Sequence, residues 1–310
     1  MATETGGRRA LARPTAAREA VSPLAGEVAR RHRSNAGMAT RRFFRHRLAV
    51  AGLVVTVALI SVALFAPVIA PTSYKDASLI DANKFPSREF LLGTDAIGHD
   101  YLSRIIYGLR TSLLVGFAAV AVAIAIGIPL GLLAGLRGGW ADFLVMRVVE
   151  VMTAFPGILF AIFLVTVVGS GVGNVILVIG VTSWVTLCRL LRAQLLTLRE
   201  QEYVTAARSI GANELSVAVK HLLPNALAPL IVAVTLAIPT AIFTEAGLSF
   251  LGIGINEPTP SLGKMVADSA QFIRVYWHLA LFPTLAIALA MLGFTFVGDG
   301  LRDALDPRQQ

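Results

Sequence analysis

Residues that could carry out chemistry are few in this 310-residue chain. The single cysteine, Cys188, adjoins an apolar run, where a thiol more often packs as a small hydrophobe than acts as a nucleophile. Arg147 and Glu150 lie three residues apart, a spacing typical of an ion pair on one face of a helix. Gly263-Lys264 lacks the upstream glycine and the following Ser or Thr of a nucleotide-binding P-loop. The sequence therefore predicts a protein that is not an enzyme and has no catalytic, metal or cofactor site of its own.

The apolar residues indicate the fold class. Hydrophobic residues make up 55% of the chain and charged residues 15%, which is typical of a membrane protein. Six windows lack Lys, Arg, Asp and Glu, and each approaches the roughly 20 apolar residues that a helix needs to cross a bilayer. They are residues 48–70, 111–136, 151–170, 171–188, 225–244 and 279–298. The third and fourth are expected to meet at a tight, glycine-containing turn. We expect an all-α membrane protein with six transmembrane helices, in which no histidine or carboxylate serves as an intramembrane base.

The basic residues predict the orientation. Eleven of the 27 Lys and Arg residues are arginines within the first 47 positions. With both termini inside, 20 basic residues lie inside and 7 outside, as the positive-inside rule requires. The sequence predicts a multi-pass cell-membrane protein with cytoplasmic termini, and this placement of charge argues against a nucleic-acid partner. Residues 1–40 are expected to be a disordered Arg-rich tail, which either sets the orientation or lies against anionic membrane lipid.

Two long loops are expected on the outer side. In the first, Gly93, Thr94 and Asp95 are expected to form a turn and start a helix, with the Thr or Asp side chain capping free backbone N–H groups. The second, residues 252–278, is rich in Gly and Pro and is expected to contain a short helix near residues 264–272. It either covers an outer vestibule or simply connects two spans.

The inner loop between the fourth and fifth windows has mixed charge and favours helix. Residues 190–208 are compatible with a helix that Gly211 ends by adopting a left-handed conformation. Asn213 is expected to cap a second helix running to Leu223, and Pro224 to stop or bend the chain at the membrane. On these features alone the loop is either a docking surface or a solvated connector.

The spacing within this loop resembles a known motif. Thr205-Ala206-Ala207, three residues, Gly211, nine residues and His221-Leu222-Leu223-Pro224 resemble the EAA loop of ABC importer permeases. Thr205 stands where that motif has glutamate, and His221 where it has isoleucine. Glu202 lies one helical turn before the position of the missing acid.

Further motifs resemble one branch of that family, the second permease of dipeptide, oligopeptide and nickel importers. Glu245 with residues 248–252, and residues 298–307, resemble two of its segments, and the resemblance extends from about residue 43 to the C-terminus. Its outer-loop signature G-T-D-x-x-G-R-D and the positions that follow correspond to Gly93, Thr94, Asp95, Asp100 and Arg104, with His99 in place of arginine.

The resemblance implies a type I ABC importer permease fold, with a transmembrane permease domain at 41–310 and a core importer domain at about 108–300. It implies translocation of short peptides, driven by separate cytoplasmic ABC ATPases that bind ATP and Mg. A homologous permease forming a heterodimer and an extracytoplasmic substrate-binding protein are the other implied partners. Within the EAA loop, 192–225, the residues implied to couple to the ATPase are Glu202, Tyr203, Thr205, Ala206, Ala207, Gly211, Pro224 and Asn225.

The alternative is a secondary transporter or channel for a small solute. Such transporters usually place ionisable residues near the bilayer midplane, and no predicted span centre carries one. Polar residues within the spans are available to line a translocation path, although each can equally serve helix packing. They include Thr153, Asn174, Ser183, Thr186, Thr235 and Thr240.

Overall fold

The computed structural model describes residues 37–306, in which every regular element is a helix. This confirms the all-α prediction. Residues Ala218–Leu222 form a π-helical turn. The predicted tail lies outside the described residues apart from positions 37–40, which are helical. The labelled helices are α1 (Arg47–Leu64), α2 (Ala66–Ile69), α3 (Tyr101–Arg137), α4 (Gly139–Ala154), α5 (Gly157–Val168), α6 (Val172–Arg199), α7 (Glu202–Ser209), α8 (Glu214–Val217), α9 (Leu223–Phe250), α10 (Leu262–Ala270) and α11 (Trp277–Leu305).

Five helices of the described chain are long and apolar enough to cross a membrane: α1, α3, α6, α11, and α9 with the turn before it. The pair α4 and α5 passes the same test together, but the two helices are bent by 89° at their junction. Phe155 is extended at this break, because Pro156 disfavours a helical conformation in the residue before it and has no N–H to continue the helix. The count reaches the predicted six only when this bent pair is one span, and the predicted third span is not a straight helix.

The helix ends differ from the ends of the charge-free windows, as three of the spans show. α6 continues to Arg199, so that Arg189 and Arg192 belong to the helix and not to a loop. α9 includes Glu245, and α11 includes His278, and both side chains are fully buried. These two helices therefore contain a carboxylate and a histidine that the charge-free windows left out. A helix continues past a polar residue when neighbouring elements bury that side chain, which a window of charge-free residues cannot show.

The centre of the fold is the pair α3 and α6, with α9 and α11 packed beside them. Glycines allow α3 and α6 to approach closely. A Cβ atom added at Gly127 would lie 2.6 Å from the carbonyl oxygen of Trp184, and one at Gly180 would lie 2.5 Å from the Cβ of Val122. Within a membrane, helices associate largely through such close van der Waals contacts. The pair therefore forms a tightly packed scaffold for the loops at both ends.

One end of the bundle, here called the long-loop end, carries residues 70–100 and 251–276. The tight turn predicted between the third and fourth windows lies at this end and is confirmed. Gly171 has a φ of 122°, and its N–H donates to the carbonyl of Gly254 at 3.2 Å. α10 confirms the short helix predicted near residues 264–272.

The opposite end, here called the basic end, carries Gly138 and residues 200–222. Arg199 fastens two helices here, because its Nη1 donates to the carbonyl of Gly135 at 3.0 Å. The last carbonyls of a helix have no partner within the helix, so this contact satisfies one of them at the end of α3. The basic end is therefore held together independently of the long loops.

Candidate functional site

The segment between α6 and α9 folds as a helix, a tight turn and a second short helix, as predicted. Residues 190–208 are not one helix, however, because α6 ends at Arg199 and α7 begins at Glu202. Gly211 has a φ of 87°, which confirms the left-handed conformation expected there. The Oδ1 of Asn213 accepts the N–H of Ser216 at 2.6 Å, which confirms the predicted cap. Arg208 and Glu214 pair across the turn, with Nε to Oε1 at 2.9 Å and Nη2 to Oε2 at 3.1 Å. This pair bridges the two helices across the turn, and the Glu214 side chain is 70% exposed.

The two alanines of the EAA-like motif face opposite ways. Ala207 is buried with Leu195 and Leu222, which come from the ends of α6 and the turn before α9. Ala206 is exposed. Ala207 therefore packs α7 against the bundle, whereas Ala206 lies at the surface.

A surface on α7 and the turn, here called the coupling face, consists of Glu202, Thr205, Ala206 and Ile210, all exposed. Their spacing places them on one side of the helix. Ile210 is 87% exposed, so its large apolar side chain protrudes from the surface. Sequence reasoning missed Ile210, although an apolar residue beside the turn glycine of a mixed-charge loop could have indicated it. The coupling face combines a small, flat centre with one protruding apolar side chain.

The junction with α9 differs from the prediction. Pro224 lies in the first turn of α9, where a missing N–H costs nothing, and it ends no helix. The Nδ2 of Asn225 donates to the carbonyl of His221 at 2.6 Å and to the hydroxyl of Tyr203 at 3.5 Å. These contacts tie α7 to the start of α9. A movement of the coupling face would therefore be transmitted directly to the spanning helix α9.

At the long-loop end, Gly93 and Thr94 form a compact turn against an earlier part of the loop. Gly93 has a φ of 81°, and the hydroxyl of buried Thr94 donates to the carbonyl of Asp81 and accepts the N–H of Lys84 at 2.8 Å. The Nζ of Lys84 lies 2.6 Å from Asp81 Oδ1, and this hydrogen bond holds the pKa of the Asp81 carboxyl below its usual value. The Thr94 hydroxyl therefore makes its hydrogen bonds, one donated and one accepted, within the loop.

The helix itself begins later than predicted. α3 starts at Tyr101, and Asp100 is its cap, with Oδ2 accepting the N–H of Ser103 at 2.8 Å. The prediction that Thr94 or Asp95 caps the helix start was therefore wrong. When several residues of capping type lie close together in a sequence, they indicate the region where a helix starts. They do not show which of these residues caps the helix.

Arg104 connects the two long loops. Its side chain is only 4% exposed, and its Nη1 lies 3.3 Å from Asp95 Oδ2 and 2.8 Å from His99 Nδ1. Its Nη2 donates to Glu257, which belongs to the second long loop. Sequence reasoning did not identify Glu257 as a partner of Arg104, because 153 positions separate the two residues. Asp95, His99 and Arg104 therefore form one largely buried polar cluster, which the half-exposed Glu257 joins to the second long loop.

Glu245 forms a second buried polar cluster near the same end. Its carboxyl oxygens accept hydrogen bonds from Ser112 of α3 at 2.8 Å, from Ser249 at 2.8 Å and from Ser261 at 2.6 Å. Glu245 has no exposed surface, and burial of a carboxyl group costs free energy unless hydrogen bonds compensate it. Three hydroxyl donors supply that compensation and join two spanning helices to the second long loop.

The six residues predicted to line a path are spread over three helices. Thr235 and Thr240 donate to carbonyl groups of their own helix, at 2.9 and 3.1 Å, which is the packing role of such residues. Thr153 likewise donates to a carbonyl of its own helix, that of Val149 at 2.9 Å, and also accepts a hydrogen bond of 3.0 Å from Arg189 Nη2. The structure brings α4 and α6 together at Thr153 but does not gather all six around one cavity of the described chain. The others are Asn174, Ser183 and Thr186, all on α6.

Comparison with known proteins places this arrangement in a family. Residues 127–310 match the family described as binding-protein-dependent transport system inner membrane component, and residues 34–86 match the N-terminal transmembrane domain of oligopeptide transport permease C. The chain belongs to the binding-protein-dependent transport permease family. It is therefore a multi-pass membrane permease of this family, which excludes the alternative of a secondary transporter or channel.

Curated members of the family are similar over most of their length. The dipeptide transport system permease DppC of Alkalihalophilus pseudofirmus is 42% identical over 272 residues, which are 88% of this chain and 90% of the relative. The oligopeptide permease OppC of Bacillus subtilis is 40% identical over 86% of this chain and 88% of its own. The glutathione permease GsiD of Pectobacterium atrosepticum is 41% identical, with 86% and 89% covered.

A solved structure shows the same fold. A chain of the inward-facing methionine ABC transporter MetNI superposes with a TM-score of 0.54 at 21% identity, covering 66% of this chain and 96% of that chain. The predicted ABC importer permease fold is thereby confirmed.

Proposed function

We propose that this chain is the second permease subunit of an ATP-driven importer of short peptides. The observation that carries the proposal is the similarity over 88% of the chain to a dipeptide permease, with oligopeptide and glutathione permeases at comparable identity. A homologous permease would complete the transmembrane pathway as a heterodimer. An extracytoplasmic binding protein would deliver the peptide at the long-loop end.

The basic end is proposed to lie in the cytoplasm. Arg192, Arg199, Arg208 and Lys220 all belong to this end or to its entrance, and the positive-inside rule places such residues in the cytoplasm. The chain termini would then be cytoplasmic as well, and the two long loops would face outward.

The coupling face is proposed to dock into a groove of a cytoplasmic ABC ATPase, which binds the ATP and Mg that this chain does not. Ala206 permits close approach, and the exposed side chain of Ile210 offers an apolar anchor for the partner. The contacts of Tyr203, Asn225 and the buried Ala207 would pass a movement of the ATPase to α6 and α9.

The test is to purify the protein in mild detergent from its native membrane and identify the proteins that accompany it. The whole complex is then reconstituted into liposomes, and uptake of radiolabelled tri-alanine is measured with and without ATP on the ATPase side. We expect co-purification of a second permease and an ABC ATPase, and uptake that requires ATP and the binding protein. Uptake that is independent of ATP, or the absence of an ATPase from the preparation, would contradict the proposal.

A further inference from the structure

One face of α6 is polar in a helix that is otherwise apolar. Thr182, Thr186, Arg189, Ala193 and Thr197 follow one another at intervals of three or four residues, which places them along a single side. All but Thr182 are exposed. A face directed at lipid would carry large apolar side chains, so this side of α6 is not designed for contact with hydrocarbon.

The charge of Arg189 is not neutralised within the described chain. Arg192, one turn away, pairs through two nitrogens with the carboxylate of Asp142. No carboxylate of the described residues lies within 4.0 Å of the Arg189 guanidinium, whose protein contact is the hydrogen bond from Nη2 to Thr153. The nearby acid Glu150 is already paired with Arg147, at 2.6 Å.

The position of Arg189 makes this lack of a partner significant. It lies ten residues before the end of α6, which is about 15 Å along the axis at 1.5 Å per residue. It is also one turn farther into the span than the paired Arg192. An ionised side chain within a span is costly in hydrocarbon and is found where it meets water, a counter-charge or a ligand. Arg189 is exposed in this chain beside the bend between α4 and α5, so an anion can reach its guanidinium.

Thr153 fixes the direction of the guanidinium. Its hydroxyl proton is directed to the carbonyl of Val149 at 2.9 Å, so its oxygen is left to accept from Arg189. This leaves Nε and Nη1 of Arg189 without a hydrogen-bond partner among the described residues. Because Thr153 accepts only one of the two N–H groups of Nη2, one edge of the guanidinium, formed by Nη2 with either Nε or Nη1, keeps both of its donors. Such an edge has the forked geometry that binds a carboxylate through two hydrogen bonds.

We propose that Arg189, oriented by Thr153, binds the carboxylate of the transported peptide in the half of the pathway nearer the basic end. The inference rests on the proposed function, because dipeptides, oligopeptides and glutathione all carry a free carboxylate. The site gives the pathway a charge preference separate from that of the binding protein. A lipid phosphate or an acidic residue of the partner permease offers the same anionic chemistry, and the experiment below separates these sources.

The experiment uses the complete complex in proteoliposomes, with the binding protein saturated in advance with tri-alanine or with its C-terminal amide. Saturation removes the selectivity of the binding protein from the comparison. We expect the wild type to transport the free acid faster than the amide. Arg189→Gln is expected to slow the free acid by about tenfold, the loss typical of one charge-assisted hydrogen-bonded contact, and to leave the amide unchanged. Arg189→Lys, which keeps the charge but loses the fork, is expected to fall between the two.

The matched control is Arg302→Gln, which removes another exposed arginine near the basic end of a span, on α11. It should leave both rates unchanged. Equal slowing of acid and amide by Arg189→Gln would overturn the proposal and indicate a lipid phosphate or the partner permease as the anion. Unchanged uptake of both would overturn it as well. If the wild type transports neither peptide, the peptide-import function itself fails, and with it the inference, whereas the other outcomes leave that function intact.

Discussion

The Ser261 hydroxyl donates a 2.6 Å hydrogen bond to the buried Glu245 carboxyl group, joining the N-terminal cap of α10 to the last turns of α9. The pair of Arg104 and Glu257 fastens the same loop from its other side. The second long loop is therefore attached at two separate polar clusters, and is an integral part of the bundle instead of a simple connector.

Replacement of Ser261 by alanine tests the first attachment. Ser261→Ala removes one of three donors to a buried carboxyl group and is expected to lower the free energy of unfolding by about 1–2 kcal/mol. The matched control is Ser61→Ala, because the exposed Ser61 hydroxyl bonds only to a carbonyl of its own helix, at 2.8 Å. It should change the stability by less than about 0.5 kcal/mol. Denaturant unfolding in detergent measures both, and equal effects would contradict the role given to Glu245.

Replacement of Gly93 tests the turn formed by the outer-loop signature. A Cβ at this position would lie 2.5 Å from the carbonyl oxygen of Lys84 and 2.9 Å from the Nε2 of buried His278, and φ is 81°. Gly93→Ala is therefore expected to destabilise the protein by at least about 2 kcal/mol, from left-handed strain and steric overlap together. Gly173→Ala is the control, since a Cβ there meets nothing within 4 Å and helix favours alanine over glycine. A Gly93→Ala protein with the melting temperature of the control would refute this account.

Local rules predicted the parts of this fold that local chemistry determines. The charge-free windows located the apolar parts of the spans, because a bilayer requires long apolar segments. The turn at Gly211 and the cap at Asn213 depend only on neighbouring residues, and both were predicted. The break before Pro156 was not, because proline allows both a mild kink and a full break, and tertiary packing selects between them.

The polar clusters around Glu245 and Arg104 could not be predicted from the sequence, for a different reason. Ser112 and Glu245 are 133 positions apart, and Arg104 and Glu257 are 153 apart. No periodicity or spacing links residues at such distances, although each was visible as a polar residue beside an apolar run. Arg189 was assigned to a loop because the fourth window ended at the first charge, and only the continuous helix to Arg199 shows its depth in the span.

The proposed orientation can be tested by single-cysteine labelling in intact cells. Ser87 lies in the first long loop and Ser209 at the end of α7, and both are exposed. Because the native Cys188 is fully buried, it should remain unlabelled in the folded protein. A membrane-impermeant maleimide is expected to label S87C in intact cells and S209C only after the membrane is opened. Labelling of S209C from outside the cell would reverse the assignment of the basic end to the cytoplasm.

The coupling face can be tested separately from the fold, because Ala206 is exposed and Ala207 is buried. Ala206→Trp places a large side chain at the centre of the coupling face without disturbing the cluster beneath α7. We expect normal expression and an unchanged melting temperature. ATPase co-purification and ATP-driven uptake are expected to fall at least about tenfold, because one large side chain in a packed interface removes more than about 1.4 kcal/mol of binding free energy.

Ala207→Trp is expected instead to lower expression, because the added volume enters the buried cluster with Leu195 and Leu222. Ala58→Trp, at an exposed position on α1, is the matched control and should retain the ATPase. An Ala206→Trp complex that keeps its ATPase and its uptake rate would show that the ATPase docks elsewhere.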